Sequence, residues 1–343
     1  MKETKGSSAK VYIIILNYNG WEDTIECLES VLKNNYTNYQ VIVVDNASTN
    51  QSMKYIINWA MGEQELIYQN NTQLNYLSQP VEIKPVEYVL YNIEEAISGG
   101  DKEIESRFKN PIIFINAEKN NGFSAGNNIG IKYAFEKNDF EFVWVLNNDT
   151  VIEKDTLIKF VASFSVKRKK EKIGMLGSIQ YYYNNPENIQ ASAGGFNKYS
   201  GNFWNLQTLY FKRDDVSYIY GASMFISKEL LSEIGLLNEE YFLYYEEIDM
   251  SERLKNKFTI DVDKNIKVYH KYAGTTSTLN SDFKIYYLIT NKIIFYKKYY
   301  PQYLIVAILN ILIDFFRSSI RDRKLDLIYI KSLKDGLLIL KSL

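Results

Sequence analysis

Residues 11–16, VYIIIL, form an unbroken apolar run dominated by β-branched side chains. A run without polar alternation suits a strand buried on both faces, and such a strand needs a layer of helices above and below it. Asn17-Tyr18-Asn19-Gly20 then breaks the run. The residues that follow place Ile25, Leu28, Val31 and Leu32 on one helical face. Residues 41–45 (VIVVD) repeat the buried strand, with Asn46-Ala47-Ser48 at its carboxyl end. Residues 112–116 and 142–146 do so again, each followed by an Asn- or Gly-rich turn and a helical period. Strands alternating with helices predict an α/β fold built on an open, mostly parallel sheet. Ligands in such sheets bind beyond the carboxyl ends of the strands, so the polar clusters there are the candidates for function.

The alternation lapses over residues 62–111, which read as an insertion between sheet strands, a helix with a mobile loop. Beyond residue 173 the pattern turns to shorter strands, loops and many of the chain's 29 tyrosines. These features divide residues 1–280 into a first half at about 11–150 and a second at about 173–280. Residues 281–343 read as a helical tail. A formal net charge of −1 gives no global attraction to nucleic acid. Cys27 is the sole cysteine, so no internal disulfide forms, and its helical setting reads as a small buried apolar residue in a reducing, cytoplasmic protein. The first ten residues are polar and lack the apolar core of a signal peptide.

Three acidic or amide clusters stand where strands end or a helix begins: Asp45-Asn46, Asn147-Asn148-Asp149 and Glu246-Glu247-Ile248-Asp249. A strand-terminal carboxylate can accept from a base or ribose, ligate a hard cation, or simply cap a turn. His270 is the only histidine. Asp249 and Arg253 share a helix face as an i,i+4 pair.

Taken together the pieces resemble the family 2 glycosyltransferases, particularly the bacterial rhamnosyltransferase-like branch. The resemblance rests on IIILNYNG at 13–20, VIVVDNAST at 41–49, NNGFSAGNNIG at 120–130 and VWVLNNDT at 143–150. YGASMFISKELLSEIGLLNEEYFLYYEEIDMSERL at 220–254 and VYHKYAGTT at 268–276 extend it. Several independent motifs in register over roughly three quarters of the chain make the match specific.

The resemblance implies a GT-A-type sheet flanked by helices, with a nucleotide half, an acceptor half and a helical C-terminal appendage. It implies an inverting, metal-dependent transfer of a sugar from a UDP or dTDP donor, dTDP-rhamnose among them, to a glycan or lipid-linked glycan in bacterial surface polysaccharide synthesis. Asn17, Asn19, Asp45 and Asn46 would cradle the nucleotide, with Asp45 accepting from the ring N–H of uracil or thymine. Gly122, Gly126 and Asn127 open a helix whose N-terminus favours the diphosphate. Asn147-Asn148-Asp149 resembles the family's DxD motif with Asn in place of the first carboxylate. Asn147 and Asn148 then face the donor, and Asp149 holds Mn²⁺ or Mg²⁺ with His270. Glu247 stands at the Asp position of the family's ED motif and is favoured as the general base over its neighbour Glu246. Trp204, Tyr244 and Tyr245 are candidates for stacking on the acceptor sugar.

Residues 303–316 (YLIVAILNILIDFF) are apolar but interrupted by Asn310 and Asp314, short of the ~20 residues a bilayer span needs. Residues 291–343 carry ten Lys/Arg against four Asp. This tail reads equally as a helix lying on the inner face of the cytoplasmic membrane and as a helix pair packing on the domain or forming a homodimer. Two rivals come from other classes. A sugar-nucleotide pyrophosphorylase would open with a Gly-rich, basic phosphate loop, which Asn17-Tyr18-Asn19-Gly20 lacks. A catalytically silent nucleotide- or glycan-binding protein is suggested by Asn147 and Glu247.

Overall fold

A computed structural model describes residues 8–65, 73–79, 82–271, 281–321 and 326–342. The chain begins β1 (Val11–Asn17), α1 (Trp21–Leu32), β2 (Tyr39–Asp45), α2 (Ser52–Met61) and the single turn α3 (Asn75–Ser78). It continues β3 (Tyr88–Asn92), α4 (Ile93–Ile97), α5 (Lys102–Glu105), β4 (Ile112–Asn116), α6 (Phe123–Lys137) and β5 (Phe142–Asn147). Then come β6 (Thr150–Ile152), α7 (Thr156–Lys167), β7 (Ile173–Tyr182), β8 (Asn185–Ala191), β9 (Ala193–Asn197) and β10 (Asn202–Leu206). The last sheet elements are β11 (Ser223–Ser227), α8 (Lys228–Ile234), α9 (Glu246–Leu254) and β12 (Thr259–His270), before α10 (Ser281–Tyr299), α11 (Leu304–Arg321) and α12 (Asp326–Ser342).

The main sheet runs β3-β4-β2-β1-β5-β11-β7-β12-β6, with β8 on β7. From β3 to β5 every pair is parallel. β11 then enters antiparallel between β5 and β7, and β6 lies antiparallel on β12. The fold is the open α/β sheet that the strand–helix alternation predicts. Its second half is more mixed: β8 folds straight back on β7 as a hairpin, while β11 and β6 reach their antiparallel neighbours across long stretches of chain.

The β1 run explains the layering. Val11, Ile13 and Ile15 pack with α1, α2 and α7 on one face, while Tyr12 and Ile14 pack with α6 on the other. Burying each such side chain contributes about 1.5–3 kcal/mol. Cys27 is fully buried in the first layer, and burial pushes its thiol up to about 12.

Residues 62–111 differ from the expected insertion. They deliver β3, an edge strand paired in register with β4, with Val89 and Tyr91 inward and Leu90 outward. The sequence disguised it because an edge strand exposed on one face alternates, whereas the central strands do not. Residues 66–72 and 80–81 of this stretch lie outside the described residues.

The helical appendage shares a core with the domain. Phe295, Tyr296 and Ala307 pack against Tyr241, Tyr245 and Ile248, and Ile293 meets Ile311 and Leu333. No described helix is long and apolar enough to cross a membrane.

Candidate active site

Parallel pairing puts Asn17 opposite Asp45 and Leu16 opposite Asn147, so three polar strand ends meet at one edge. The Asn17 amide donates to Asp45 and Ser48, and its oxygen accepts from Thr24 Oγ1 at 2.9 Å. Asp45 accepts from the Ser48 amide at 3.1 Å and from its hydroxyl. Asn19, in the left-handed region at φ 56°, accepts from Thr49 N at 2.8 Å. These bonds lock the β1 and β2 loops to each other. Asn46 reaches further, donating to Asn120 Oδ1 at 2.9 Å and Gly122 O at 3.1 Å.

Gly122 precedes α6 with φ 93°, and a Cβ there would lie 2.2 Å from Phe242 O. No other residue fits that position without strain. Phe123 N donates to the same carbonyl at 2.8 Å, tying the start of α6 to residues from the second half of the chain. A Cβ at Gly126 would strike Leu16 Cδ1 at 2.4 Å, so this glycine also lets α6 close on β1. Asn127 is fully buried and its amide donates to Phe123 O within the helix, leaving its Oδ1 without a partner among the described residues.

The register of β12 on β6 pairs His270 with Thr150 and brings the imidazole to Asp149. His270 Nδ1 lies 2.7 Å from Gln190 Oε1, an acceptor, which places the ring proton on that nitrogen. Nε2 then turns a lone pair toward Asp149 Oδ1 at 3.1 Å. That oxygen is buried and has no aligned hydrogen-bond donor among the described residues. Two buried lone pairs facing each other need a shared proton or cation, and a histidine steered through its other nitrogen is a common metal ligand. The pair therefore fits a divalent cation. Two protein donors suffice where phosphate oxygens complete the shell, and no cluster of three or more acidic, His or Cys ligands occurs among the described residues. Burial resists ionisation of Asp149, but where the shared proton sits on His270 that charge, with Lys271 nearby, outweighs burial and holds the carboxyl below the usual range.

Behind this pair lies a buried charge knot that the sequence did not disclose. Lys271 Nζ meets Asp23 Oδ1 at 2.7 Å and Glu26 Oε2 at 2.5 Å, and Tyr183 donates to Glu26 at 2.6 Å. Both acids sit on α1, Glu26 fully buried and Asp23 7% exposed. Only their spacing of three, one helical turn, hinted at a common partner.

Glu246 and Glu247 open α9. The preceding Tyr244 and Tyr245 both sit in the left-handed region, at φ 70° and 78°, a strained entry for non-glycine residues. Burial, with backbone N–H groups including that of Gly221 opposing it, lifts the Glu247 carboxyl to about 7. A Cβ at Gly221 would lie 2.1 Å from Glu247 Oε1, so a larger residue there would push the carboxyl aside. Glu246 is lifted well above its ordinary value by burial and by the charge of Glu247, and its Oε2 has no partner among the described residues. Asp249 and Arg253 form the expected pair at 2.7 Å, with Arg253 also holding the Ile234 and Leu236 carbonyls.

A cleft of about 590 Å³ gathers Asn46, Gly122, Asn147, Asn148, Asp149, Tyr244, Tyr245, Glu246, Glu247 and His270. Asn148 also donates to Gly20 O at 3.2 Å and Thr24 Oγ1 at 3.0 Å. Asn17, Asn19, Asp45, Gly126 and Asn127 are not part of that lining. Trp204 also lies outside it, half-exposed on β10, where it covers Gly195. The aromatic wall comes instead from Phe203, Tyr218, Tyr220, Phe242 and Phe283. Tyr272 to Thr276 of the VYHKYAGTT motif lie outside the described residues.

Comparison with known proteins identifies the family. Residues 12–78 match the family described as Glycosyl transferase family 2, and residues 98–287 match Glycosyltransferase like family 2. The low-salt glycan biosynthesis hexosyltransferase Agl10 of Haloferax volcanii is 27% identical over 188 residues, covering 53% of this chain and 59% of the relative. The chain thus spans about three fifths of that relative's length. Among solved structures, GalNAc-T7 with UDP, GalNAc and Mn²⁺ superposes at a TM-score of 0.51 with 13% identity, covering 84% of this chain and 51% of that one. The mannosyltransferase PcManGT of Pyrobaculum calidifontis, in complex with GDP-Man and Mn²⁺, gives 0.49 with 12% identity over 96% of this chain and 87% of its own.

Proposed function

The chain belongs to glycosyltransferase family 2, and from that premise we propose that it is an inverting hexosyltransferase with Glu247 as its general base. One observation carries the reading: Glu247, its carboxyl raised to about 7, shares a cleft with the Asp149–His270 pair. A base poised near neutrality can take a hydroxyl proton without being lost to protonation at working pH. The acceptor oxygen gives its proton to Glu247 and bonds to the anomeric carbon on the face opposite the leaving group. The nucleoside diphosphate departs with the electrons of the broken bond. Asp149 and His270 suit Mn²⁺ or Mg²⁺, which when bound supplies positive charge against the diphosphate. GalNAc-T7, whose fold this chain shares, holds Mn²⁺ and UDP in its structure. The N-terminus of α6 at Gly122 and the side chain of Asn147 face the same ligand, while the Asn148 amide is held by Gly20 and Thr24 and braces the loop. Asp45 Oδ2 accepts from the Ser48 amide and keeps capacity for the ring N–H of uracil or thymine, favouring UDP or dTDP donors, dTDP-rhamnose included. The acceptor is a glycan or lipid-linked glycan. Screening nucleotide sugars for transfer and for acceptor-free donor hydrolysis, with and without Mn²⁺, tests this. Binding without either reaction would make the protein a silent sugar-nucleotide binder.

The tail supports peripheral membrane attachment in this reading. Ile305, Leu309, Ile313 and Phe316 form an exposed apolar stripe on α11, and Arg317 follows it. Arg323 and Lys324, which extend the basic cluster, lie outside the described residues. Each basic residue near an anionic surface adds on the order of 1 kcal/mol. Replacing Ile305, Leu309 and Phe316 by Ser should abolish salt-resistant co-sedimentation with phosphatidylglycerol liposomes. Equal sedimentation of both forms would remove the membrane role.

A further inference from the structure

We infer that Asn291, on the first helix of the tail, positions the general base. The inference rests on the transferase reading above and concerns a residue that touches neither substrate nor cation. Glu246 and Glu247 follow a turn in which Tyr244 and Tyr245 both hold positive φ. Two such residues in succession are strained and persist only where their surroundings impose the conformation. The surroundings do so through the carbonyls of the turn. Phe242 O is taken by Phe123 N at 2.8 Å. The Asn291 amide donates to Leu243 O at 2.9 Å and to Tyr244 O at 3.0 Å. Three consecutive carbonyls are thus gripped, one by the helix opening behind Gly122 and two by a single buried side chain of α10.

Asn291 is 2% exposed, so its amide finds no replacement partner in water. Aromatic contacts set the helix against the same turn: Phe242 stacks on Tyr287 with centroids 4.9 Å apart, and Tyr245 meets Phe295 at 5.5 Å. At the far end of α10, Tyr299 donates to Asp249 Oδ1 at 2.7 Å, one helical turn beyond Glu246. The tail helix therefore frames α9 at both its entry and its first turn. Without Asn291 the turn can relax toward ordinary backbone angles and shift Glu247 from its place in the cleft. A displacement of about 1 Å at a reacting group can cost about a hundredfold in rate.

The test compares full-length wild type with Asn291→Ala, Asn291→Ser and, as a packing control, Thr290→Val. Among the described residues, the Thr290 hydroxyl donates to carbonyls of its own helix alone, at 2.8 and 3.4 Å. Circular dichroism and melting select whichever Asn291 variant stays folded, and hydrogen exchange of residues 242–247 reads the turn directly. The expected result is a kcat ten- to a hundredfold lower, a donor KM within about twofold, and an acidic limb of the pH–rate profile moved to lower pH. Exchange at the turn quickens, and Thr290→Val does none of this. A folded variant with wild-type kcat and an unmoved acidic limb would overturn the inference. So would a loss carried wholly by donor KM. If the wild type transfers no sugar yet the turn exchanges faster in the variant, the transferase reading falls and the clamp stands.

Discussion

The two walls of the cleft are held in opposite ways. On the donor wall, Asn17, Asn19, Asp45 and Ser48 satisfy one another across two adjacent strand ends, so the loops are rigid on a parallel scaffold. On the base wall, Glu246 and Glu247 follow a strained turn whose carbonyls are held by groups outside it. Their geometry is imposed by Gly122 and Phe123 from one side and by Asn291 from the other. The donor wall is built to stay put, whereas the base wall stores cost in burial and backbone strain. Active groups kept where they are unstable by themselves are the usual price of a shifted pKa.

The contrast is broken most severely at its functional end. Glu247→Gln should lower turnover by about two to four orders of magnitude with donor affinity nearly intact, since the amide cannot take a proton. If Glu246→Gln is instead the inactive variant, the base wall has been assigned one residue out. On the donor side, Asp149→Asn should abolish metal-stimulated nucleotide binding in calorimetry while circular dichroism stays unchanged, with His270→Ala weakening the Mn²⁺ dependence. Metal titrations indistinguishable from wild type would return both residues to a structural role.

A smaller effect is expected from pH. Glu247 acts when deprotonated, so kcat should fall as pH drops below about 7 and plateau above it. A limb near the ordinary carboxylate value would mean that the base is solvated during turnover. The smallest effect is a gain in stability. Glu246 is raised in the fold, so its burial costs little below the ordinary glutamate value and progressively more as pH climbs above it. Glu246→Gln removes that cost and should raise Tm by a few degrees at pH 8, and by less at pH 5. A lower Tm at pH 8 would show that the carboxyl is satisfied where it lies.

The same division governs what the sequence revealed. Four central strands and their carboxyl-end clusters were legible because a strand buried on both faces leaves an uninterrupted apolar run, and the polar break after it marks the ligand edge. β3 escaped because alternation at a sheet edge resembles a loop. Asn291 and Lys271 escaped for a deeper reason. A lone Asn in an apolar helix, or a Lys after a histidine, acquires meaning only from a partner 48 or 248 residues away, and periodicity carries no such distance. Gln190 belongs with them, since its role depends entirely on the ring nitrogen it faces. The Glu246–Glu247 pair was visible as a motif, while the positive φ values that precede it were not, because tyrosine is a poor signal for them.

The Lys271 knot also orders events during synthesis. Closing a loop of 248 residues costs entropy that grows only slowly with length, so the ends can meet readily once both exist. Until β12 has emerged from the ribosome, Asp23 and Glu26 face each other on α1 without their cation, and Asp149 has no imidazole beside it. A nascent chain can therefore complete most of the parallel sheet while its cation pair is absent. Assembly of the donor pocket becomes a late, concerted event, and a chain released early carries the strands of the fold without its chemistry.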